Sequence, residues 1–427
     1  MREELLHFIW EYDKLRGQDL VSEDHEKIHI QDTGVRNLGS GPDFFNAKVE
    51  IGGQLWAGNV EIHVKSSDWY AHDHQNDRSY DNVILHVVWY DDVSVFRKDN
   101  SKISTLALKQ LIPKDLLLSY KSLLLNTKKT FINCENDIGT VESFKLKDWI
   151  KRLYVERLNN KSELVFKYLN EYGNDWEKTL FTMMMKSFGL NVNGPSFLTI
   201  AHALDFNIVR KVGGNLMQLE SILFGLAGFL DSDQCVDHYF LGLQKEFAFL
   251  KHKFELDNFG VRKPDFFRLR PNNFPTIRLS QLAGVYHKNQ NLFSKLLAAK
   301  NLMDVRSIFD VAASDYWDNH YTFGKEAKKR SKRISASFID LAIINTVIPI
   351  KFCYAKYLGK DISDEINHLI TGLKAEKNEV VHGFGKIGLK SANAFESQAI
   401  VELHHRYCKV NKCLRCAVGT TLLNRNG

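Results

Sequence analysis

Acidic and histidine side chains are concentrated between residues 41 and 89, where short strand-like segments alternate with polar turns. The side chains that could do chemistry there are Asp43, Glu61, His63, Lys65, His72, His74 and His86. Carboxylates grouped with a nearby base suit hard divalent ions such as Mg²⁺ or Mn²⁺, which generate a hydroxide nucleophile. The composition of this stretch therefore predicts a metal-dependent hydrolytic site, and phosphodiester cleavage is a natural use for it.

Two antiparallel strands are predicted to position the two carboxylates. Residues 44–51 and 55–64 alternate apolar and polar side chains, and Gly52-Gly53 between them is a two-residue hairpin signal. Asp43 stands at the start of the first strand, after Gly41-Pro42. A hairpin could bring it near Glu61 on the second strand.

The spacing on the second strand assigns the roles. Glu61, His63 and Lys65 share a parity and project from one face, while the apolar residues between them point to the other. On this hypothesis Asp43 and Glu61 hold the metal. His63 or Lys65 then acts on the attacking water or on the charge of the transition state.

The same residues resemble the PD-(D/E)xK nuclease superfamily. Pro42-Asp43 at a strand start and Glu61-Ile62-His63 on the next strand match its pattern, with His63 in place of the usual lysine and Lys65 one same-face step further along. The resemblance covers roughly the first 120 residues. It implies a restriction-endonuclease-like α/β domain that acts on DNA or RNA.

The whole chain also resembles a family of uncharacterised bacterial proteins. The shared features are GPDF, VEIH-x-x-SDW, a VILHVV strand and a cysteine-rich carboxy terminus. This resemblance implies no activity.

Other interpretations of the same stretch stay open. Asp43 could simply cap a turn, and residues 61–65 could be the solvated face of an edge strand. The His72-x-His74 pair has metal-ligand spacing, while His86 in an apolar strand is either a hydrogen-bonded core residue or a ligand. Two functions therefore compete with a nuclease: a Zn-dependent hydrolase of small phosphoesters, and a nucleic-acid-binding scaffold without catalysis.

Composition predicts a protein of two or three globular domains. The chain has 427 residues, 44% hydrophobic and 25% charged. Residues 1–100 contain 10 Lys and Arg against 19 Asp and Glu, which gives a net charge of −9. Because the whole chain has a net charge of +6, residues 101–427 carry +15. An acidic part suits cation binding and a basic remainder suits nucleic acid, although a solvated surface would also explain the imbalance.

No membrane segment or export signal is expected. The first 15 residues have the pattern of an amphipathic helix and lack the features of a signal peptide. The apolar stretch 336–350 contains Asp340, Asn345 and Pro349 and is shorter than a membrane span. Six cysteines argue against a disulfide framework, so the cytoplasm is the expected location.

The predicted fold class is α+β, in three parts. Residues 1–130 form the α/β domain, residues 140–400 a mostly α-helical domain, and residues 401–427 a cysteine segment that binds metal. Further strands are expected near 27–30, 82–90 and 103–108, followed by a helix over 114–126. The period of apolar residues becomes helical from about residue 140.

Two basic stretches in the helical part are candidate nucleic-acid contacts. One carries Arg268, Arg270 and Arg278 near a predicted helix start, where fork-shaped guanidinium groups and backbone N–H groups can hold phosphate. The other contains Lys328, Lys329 and Arg330 beside aromatic residues. Surface charge without a ligand is the alternative for both.

The carboxy terminus has the most specific spacing in the chain. Cys408-x4-Cys413-x2-Cys416 suits a soft-ligand metal site, and His404, His405 or the distant Cys134 would supply the fourth ligand. The site would hold Zn or an iron–sulfur cluster. The arrangement is similar to nucleases of the same superfamily that surround such a cluster with one distant cysteine and a carboxy-terminal trio; three free cysteines are the alternative.

Overall fold

The computed structural model describes residues 2–124, 129–231 and 235–426. The chain divides into two compact units. The first comprises Met1–Trp149, Ile387–Leu389 and Leu403–Gly427; the second comprises Ile150–Lys386 and Lys390–Glu402. The carboxy-terminal cysteine segment thus belongs to the same unit as the amino-terminal sheet.

The first unit is built on a mixed β-sheet. Its elements up to residue 124 are α1 (Glu3–Glu11), β1 (Leu20–Val21), β2 (Lys27–Asp32), β3 (Val35–Arg36), β4 (Phe44–Ile51), β5 (Gln54–Lys65), α2 (Asp68–Ala71), β6 (Val83–Tyr90), β7 (Ser104–Ala107) and α3 (Lys114–Leu124). The strand order is β1-β2-β4-β5-β6-β7, and β3 pairs with β4. The predicted strands near 27–30, 44–51, 55–64, 82–90 and 103–108 are all present, within a few residues of their expected ends.

The hairpin and the parallel strands after it set the geometry of the sheet. β4 and β5 pair antiparallel, and the turn between them places Gly52 and Gly53 at φ +60° and +87°, which glycine tolerates without strain. β5 and β6 then pair in parallel, with Glu61 opposite His86. Because a parallel strand inside a sheet is covered on both faces, residues 83–88 of β6 are all buried.

The second unit is mostly α-helical, so the predicted α+β class with a sheet-rich part followed by a helical part is confirmed. The division between the units falls within α4 (Ser143–Glu171). The helices that follow are α5 (Trp176–Phe188), α6 (Leu190–Ala203), α7 (Phe206–Val212), α8 (Leu216–Leu226), α9 (His238–Phe254), α10 (Pro275–Lys288), α11 (Leu292–Ala298), α12 (Leu302–Ile308), α13 (Ala336–Ala342), α14 (Ile348–Tyr357), α15 (Ser363–Thr371), α16 (Glu379–Lys386) and α17 (Ala394–Leu403). A two-stranded sheet, β8 (His320–Thr322) with β9 (Lys325–Glu326), completes the unit, and α18 (Ala417–Leu423) lies in the first unit.

Two helices of the second unit continue through a proline. α6 begins at Leu190, so Pro195 lies inside the helix. The expected end of α3 at residue 126 lies outside the described residues. The apolar stretch from Ala336 continues through a π-helical turn and past Pro349 to Tyr357, so the helix is longer than expected.

That 22-residue helix is, by length and composition alone, apolar enough to cross a membrane. About two thirds (67%) of its most apolar window is buried inside the protein, as in the core helix of a globular unit.

Gly58 allows β5 to approach β6 closely enough for the site to form. A Cβ at this position would lie 2.6 Å from the carbonyl oxygen of Asn82 and would overlap the side chain of Ile84. We expect Gly58→Ala to lower the free energy of unfolding by ~1–3 kcal/mol through overpacking, measured by urea denaturation followed by tryptophan fluorescence. Gly139→Ala, in the same unit with open space around its Cβ, should change it by less than ~0.5 kcal/mol. Equal midpoints for the two variants would contradict this account.

Candidate metal centre

Four of the candidate side chains meet at the carboxyl end of β5. Glu61 and His63 come from that strand, and His72 and His74 from the turn after α2, which packs against it. Nε2 of His63 lies 3.1 Å from Nδ1 of His72 and 3.4 Å from Oε1 of Glu61. Nε2 of His74 lies 3.3 Å from the same carboxylate oxygen. The sequence-predicted ligands therefore converge on one small volume.

Three pairs of these atoms, His63–His72, His63–Glu61 and His74–Glu61, have the separation expected around one bound transition metal ion. Ligand atoms 2.0–2.1 Å from a tetrahedral zinc ion are separated by about 3.3–3.4 Å from each other. The donor atoms of His63, His72 and His74 all lie within 4.8 Å of one another. His63 is buried, His74 is half-buried and His72 is exposed, so the group is open to solvent on the side of His72.

His86 lies behind His63 and contacts it directly. Nδ1 of His63 is 2.9 Å from Nε2 of His86, which is fully buried on β6. When the Nδ1–H of His63 donates this hydrogen bond, Nε2 of His63 keeps its lone pair toward Glu61 and His72. An outer partner of this kind fixes both the tautomer and the orientation of a ligating imidazole.

Aromatic rings hold the turn that carries His74. Tyr80 stacks on the His74 imidazole with centroids 3.8 Å apart, and the indole of Trp69 packs edge-on against it at 5.4 Å. Trp69 also contacts His86 and belongs to the apolar core of the unit with Val83. The turn is therefore packed onto the sheet, although it contains no long regular element.

Asp43 joins the two strands of the hairpin at the same place. Its backbone N–H donates to Oε2 of Glu61 (3.1 Å), and its Oδ2 accepts from the backbone N–H of Ile62 (3.0 Å). The same carboxylate oxygen lies 3.0 Å from Nε2 of His7, and Glu3 lies 3.7 Å from that nitrogen. Glu3, His7 and Asp43 form a second group whose donor atoms lie within 4.8 Å of one another.

Sequence reasoning did not predict Glu3 and His7. They are four residues apart on α1 and therefore share one face of the helix. The sequence predicts this segment only as an amphipathic helix. Only the pairing of an acid with a histidine at this spacing could have indicated a ligand face.

Burial makes the metal-free site a neutral one. Burial, with Asp43 nearby, raises the pKa of Glu61 to about 9, and Glu61 is only 5% exposed. Burial together with the neighbouring imidazoles lowers the pKa of His63 to about 2 and that of His86 to about 3. A buried carboxylate requires a compensating cation, and a bound metal ion would supply that charge.

Lys65 does not join this group among the contacts of the described residues. It is exposed at the end of β5, its backbone N–H donates to Asp68 (2.9 Å), and its ammonium interacts electrostatically with Asp92. The alternation of side chains along β5 correctly predicts the face on which Lys65 lies. It does not predict that Lys65 is exposed, because Lys65 is the last residue of the strand.

The predicted nucleic-acid contacts are of two kinds. Arg268, Arg270, Lys328, Lys329 and Arg330 are exposed on the second unit. Arg278 is instead only 5% exposed: its guanidinium stacks 3.6 Å from the ring centre of Phe338 and donates to Asn273 and Gln281. Arg278 therefore packs inside the protein near the start of α10, and its charge does not lie on the surface.

The four predicted thiol ligands lie together in the first unit. Cys134, Cys413 and Cys416 are buried and Cys408 is half-buried. His404, the alternative fourth ligand, stacks on Phe131 with centroids 5.4 Å apart.

The pKa of Glu61 generates a prediction for metal-depleted protein. The folded state holds a proton on this carboxyl up to about pH 9, whereas the unfolded chain releases it near 4.5, so stability falls as pH rises between these values. Glu61→Gln should flatten this fall in urea midpoints measured between about pH 5 and about pH 9. Glu50→Gln, on the adjacent strand β4, should leave it as in the wild type. Parallel profiles for all three proteins would overturn the assignment.

Comparison with known families shows which family the chain belongs to. Comparisons with curated proteins and with solved structures gave no match. A family model described as "Protein of unknown function (DUF2851)" matches residues 3–379, which include the whole candidate metal centre and most of the second unit. The chain therefore belongs to the DUF2851 family.

Proposed function

We propose that this protein is a metal-dependent hydrolase that cleaves phosphodiester bonds in nucleic acid, with the metal held by Glu61, His63, His72 and His74. The observation that carries the proposal is the 3.1–3.4 Å spacing of donor atoms around His63 and Glu61. Imidazoles with one carboxylate favour a transition metal such as Mn²⁺ or Zn²⁺ over Mg²⁺, which prefers oxygen ligands.

The residues around the ligands supply the remaining parts of a hydrolytic site. A bound metal of this kind would lower the pKa of a coordinated water and polarise the phosphoryl oxygen. Asp43 lies beside Glu61 and carries a carboxylate that can orient the attacking water. His86 holds His63 in place from behind, and the exposed side at His72 gives the substrate access.

The topology around the site supports the resemblance to PD-(D/E)xK nucleases. An aspartate at the start of one hairpin strand and an acid on the other are the arrangement that this resemblance implies. His63 takes the position of the lysine but serves as a ligand in our proposal. The superfamily's acid-x-Lys chemistry is thereby replaced by a histidine-rich centre.

Cleavage assays test the proposal directly. Labelled single- and double-stranded DNA and RNA, and a chromogenic small phosphodiester, are incubated with Mn²⁺, Zn²⁺, Mg²⁺ or EDTA. We expect metal-dependent turnover that Glu61→Gln and His63→Ala abolish. His86→Asn should lower it by about 10–100-fold, because it removes only the outer partner of a ligand.

His29→Ala and Glu50→Gln are the matched controls, since both residues lie on neighbouring strands away from the site. Full activity in Glu61→Gln would exclude this centre. Turnover of the small phosphodiester alone would point instead to a small-substrate phosphoesterase.

A second candidate function, nucleic-acid binding without cleavage, has its own observation. The second unit exposes Arg268 and Arg270, and the side chain of Phe267, next to Arg268 in the chain, is 74% exposed. The guanidinium of Arg268 lies 5.1 Å from the ring centre of Phe267. Cations next to exposed rings suit a phosphate backbone with stacked bases.

The salt dependence of binding tests this surface. We expect the Arg268→Ala, Arg270→Ala double variant to bind single-stranded DNA or RNA more weakly. The slope of log K against log salt should fall by about 2, because two phosphate contacts are lost. The charge-matched control is Lys360→Ala, Lys377→Ala, which removes two exposed lysines elsewhere on the second unit. Identical slopes for both double variants would mean that Arg268 and Arg270 do not contact the polymer.

A further inference from the structure

The four cysteines of the first unit come from two distant parts of the sequence. Cys134 lies in a loop that the Glu135 carboxylate closes by accepting from the backbone N–H groups of residues 130–132. Cys408, Cys413 and Cys416 lie between α17 and α18. The loop and the terminus meet where Asn133 donates to Asn411 (3.1 Å).

The four sulfurs lie close enough to interact with one another. Each interacts electrostatically with the other three. Three of the thiols are buried and Cys408 is half-buried, with no disulfide between them, which is typical of a metal site in a reducing environment.

The sulfurs are too far apart for one zinc ion. A Zn–S distance of 2.3 Å separates tetrahedral sulfurs by about 3.8 Å. Among the described residues, the groups of three or more ligand atoms within 4.8 Å of one another are the two at the metal centre, and neither contains a cysteine. Any three of the four sulfurs therefore include a pair more than 4.8 Å apart, which is wider than the spacing around one zinc ion.

Hydrogen-bond donors lie beside two of the four sulfurs, those of Cys413 and Cys416. Nδ2 of Asn133 lies 3.3 Å from the sulfur of Cys413, and the backbone N–H groups of Val418 and Gly419 point to that of Cys416. A Cβ on Gly419 would overlap the backbone carbonyl of Cys413, so the chain closes tightly around the cysteines. N–H groups aimed at sulfur stabilise thiolates and tune the potential of iron–sulfur clusters.

We propose that Cys134, Cys408, Cys413 and Cys416 hold an iron–sulfur cluster. Four thiolates at this wider spacing, with N–H donors beside two of them, fit a centre made of several iron and sulfide ions. The C-x4-C-x2-C spacing with a distant fourth cysteine also occurs in plant-type ferredoxins, although there the fourth cysteine follows the trio. Each thiol that binds iron releases its proton.

The cluster would also support the helix that carries Glu3 and His7. The turn Cys413–Arg415 contacts α1, the helix on which Glu3 and His7 lie beside Asp43. Binding of the cluster therefore fastens the residue-134 loop and the carboxy terminus onto α1. This inference does not rest on the proposed hydrolysis, because the thiol site shares no ligand with the proposed hydrolytic site.

Anaerobic purification of the full chain, with reconstitution by iron and sulfide, tests the proposal. We expect bound iron with acid-labile sulfide and the broad visible absorption of thiolate-ligated iron. Cys134→Ser and Cys416→Ser should lose the labile sulfide and the absorption. Cys235→Ser and Cys353→Ser, which change the two cysteines outside the group, should keep both.

The alternative outcomes are distinguishable. Stoichiometric zinc without labile sulfide, or reconstituted protein free of both iron and sulfide, would overturn the cluster. Measurement on the wild type alone decides this even if a cysteine variant fails to fold. Iron bound at Glu61 and His63 is recognised separately, because His63→Ala would release it and leave the labile sulfide unchanged.

Discussion

A buried acid without a cationic side-chain partner is the constraint around which the first unit is arranged. Among the described residues, the ion-pair contacts of Glu61 are to the imidazoles of His63 and His74. Its other oxygen accepts from the Asp43 backbone. Burial at this point is costly unless positive charge arrives from outside. The hairpin, the parallel strand and the aromatic turn together keep Glu61 buried despite this cost in free energy. A tolerated cost of this kind is typical of a functional site.

Local pattern was sufficient to predict the elements that carry the site. The Gly-Gly turn and the alternation on both sides of it gave β4 and β5 within a residue or two of their ends. Parity gave the shared face of Glu61 and His63, because the two-residue period of a strand admits no other arrangement. The spacing of His72 and His74 indicated ligands, but only the packing of the turn onto Trp69 and Tyr80 brings them to the strand.

Tertiary structure decided the rest. Which face of α1 meets the sheet cannot be derived from the helix alone, and so His7 and Glu3 were missed. His86 was ambiguous because a buried strand histidine serves equally well as a core residue or a support, and its place opposite Glu61 depends on the register of a parallel pair. Arg278 has the sequence context of a phosphate contact, yet the aromatic ring of Phe338 draws its guanidinium inward.

The register of the parallel β5–β6 pair has a consequence for how the chain reaches its native state. Parallel pairing joins distant residues and is intrinsically slow, and a one-residue slip of β5 would turn Glu61 and His63 together to the opposite face. Both proposed ligands would be lost at once, so a slipped conformation would lack the metal centre proposed for the native one. Metal binding would stabilise only the correctly paired chain by mass action. A bound ion would thus favour the correct pairing of β5 with β6, in addition to its proposed role in hydrolysis.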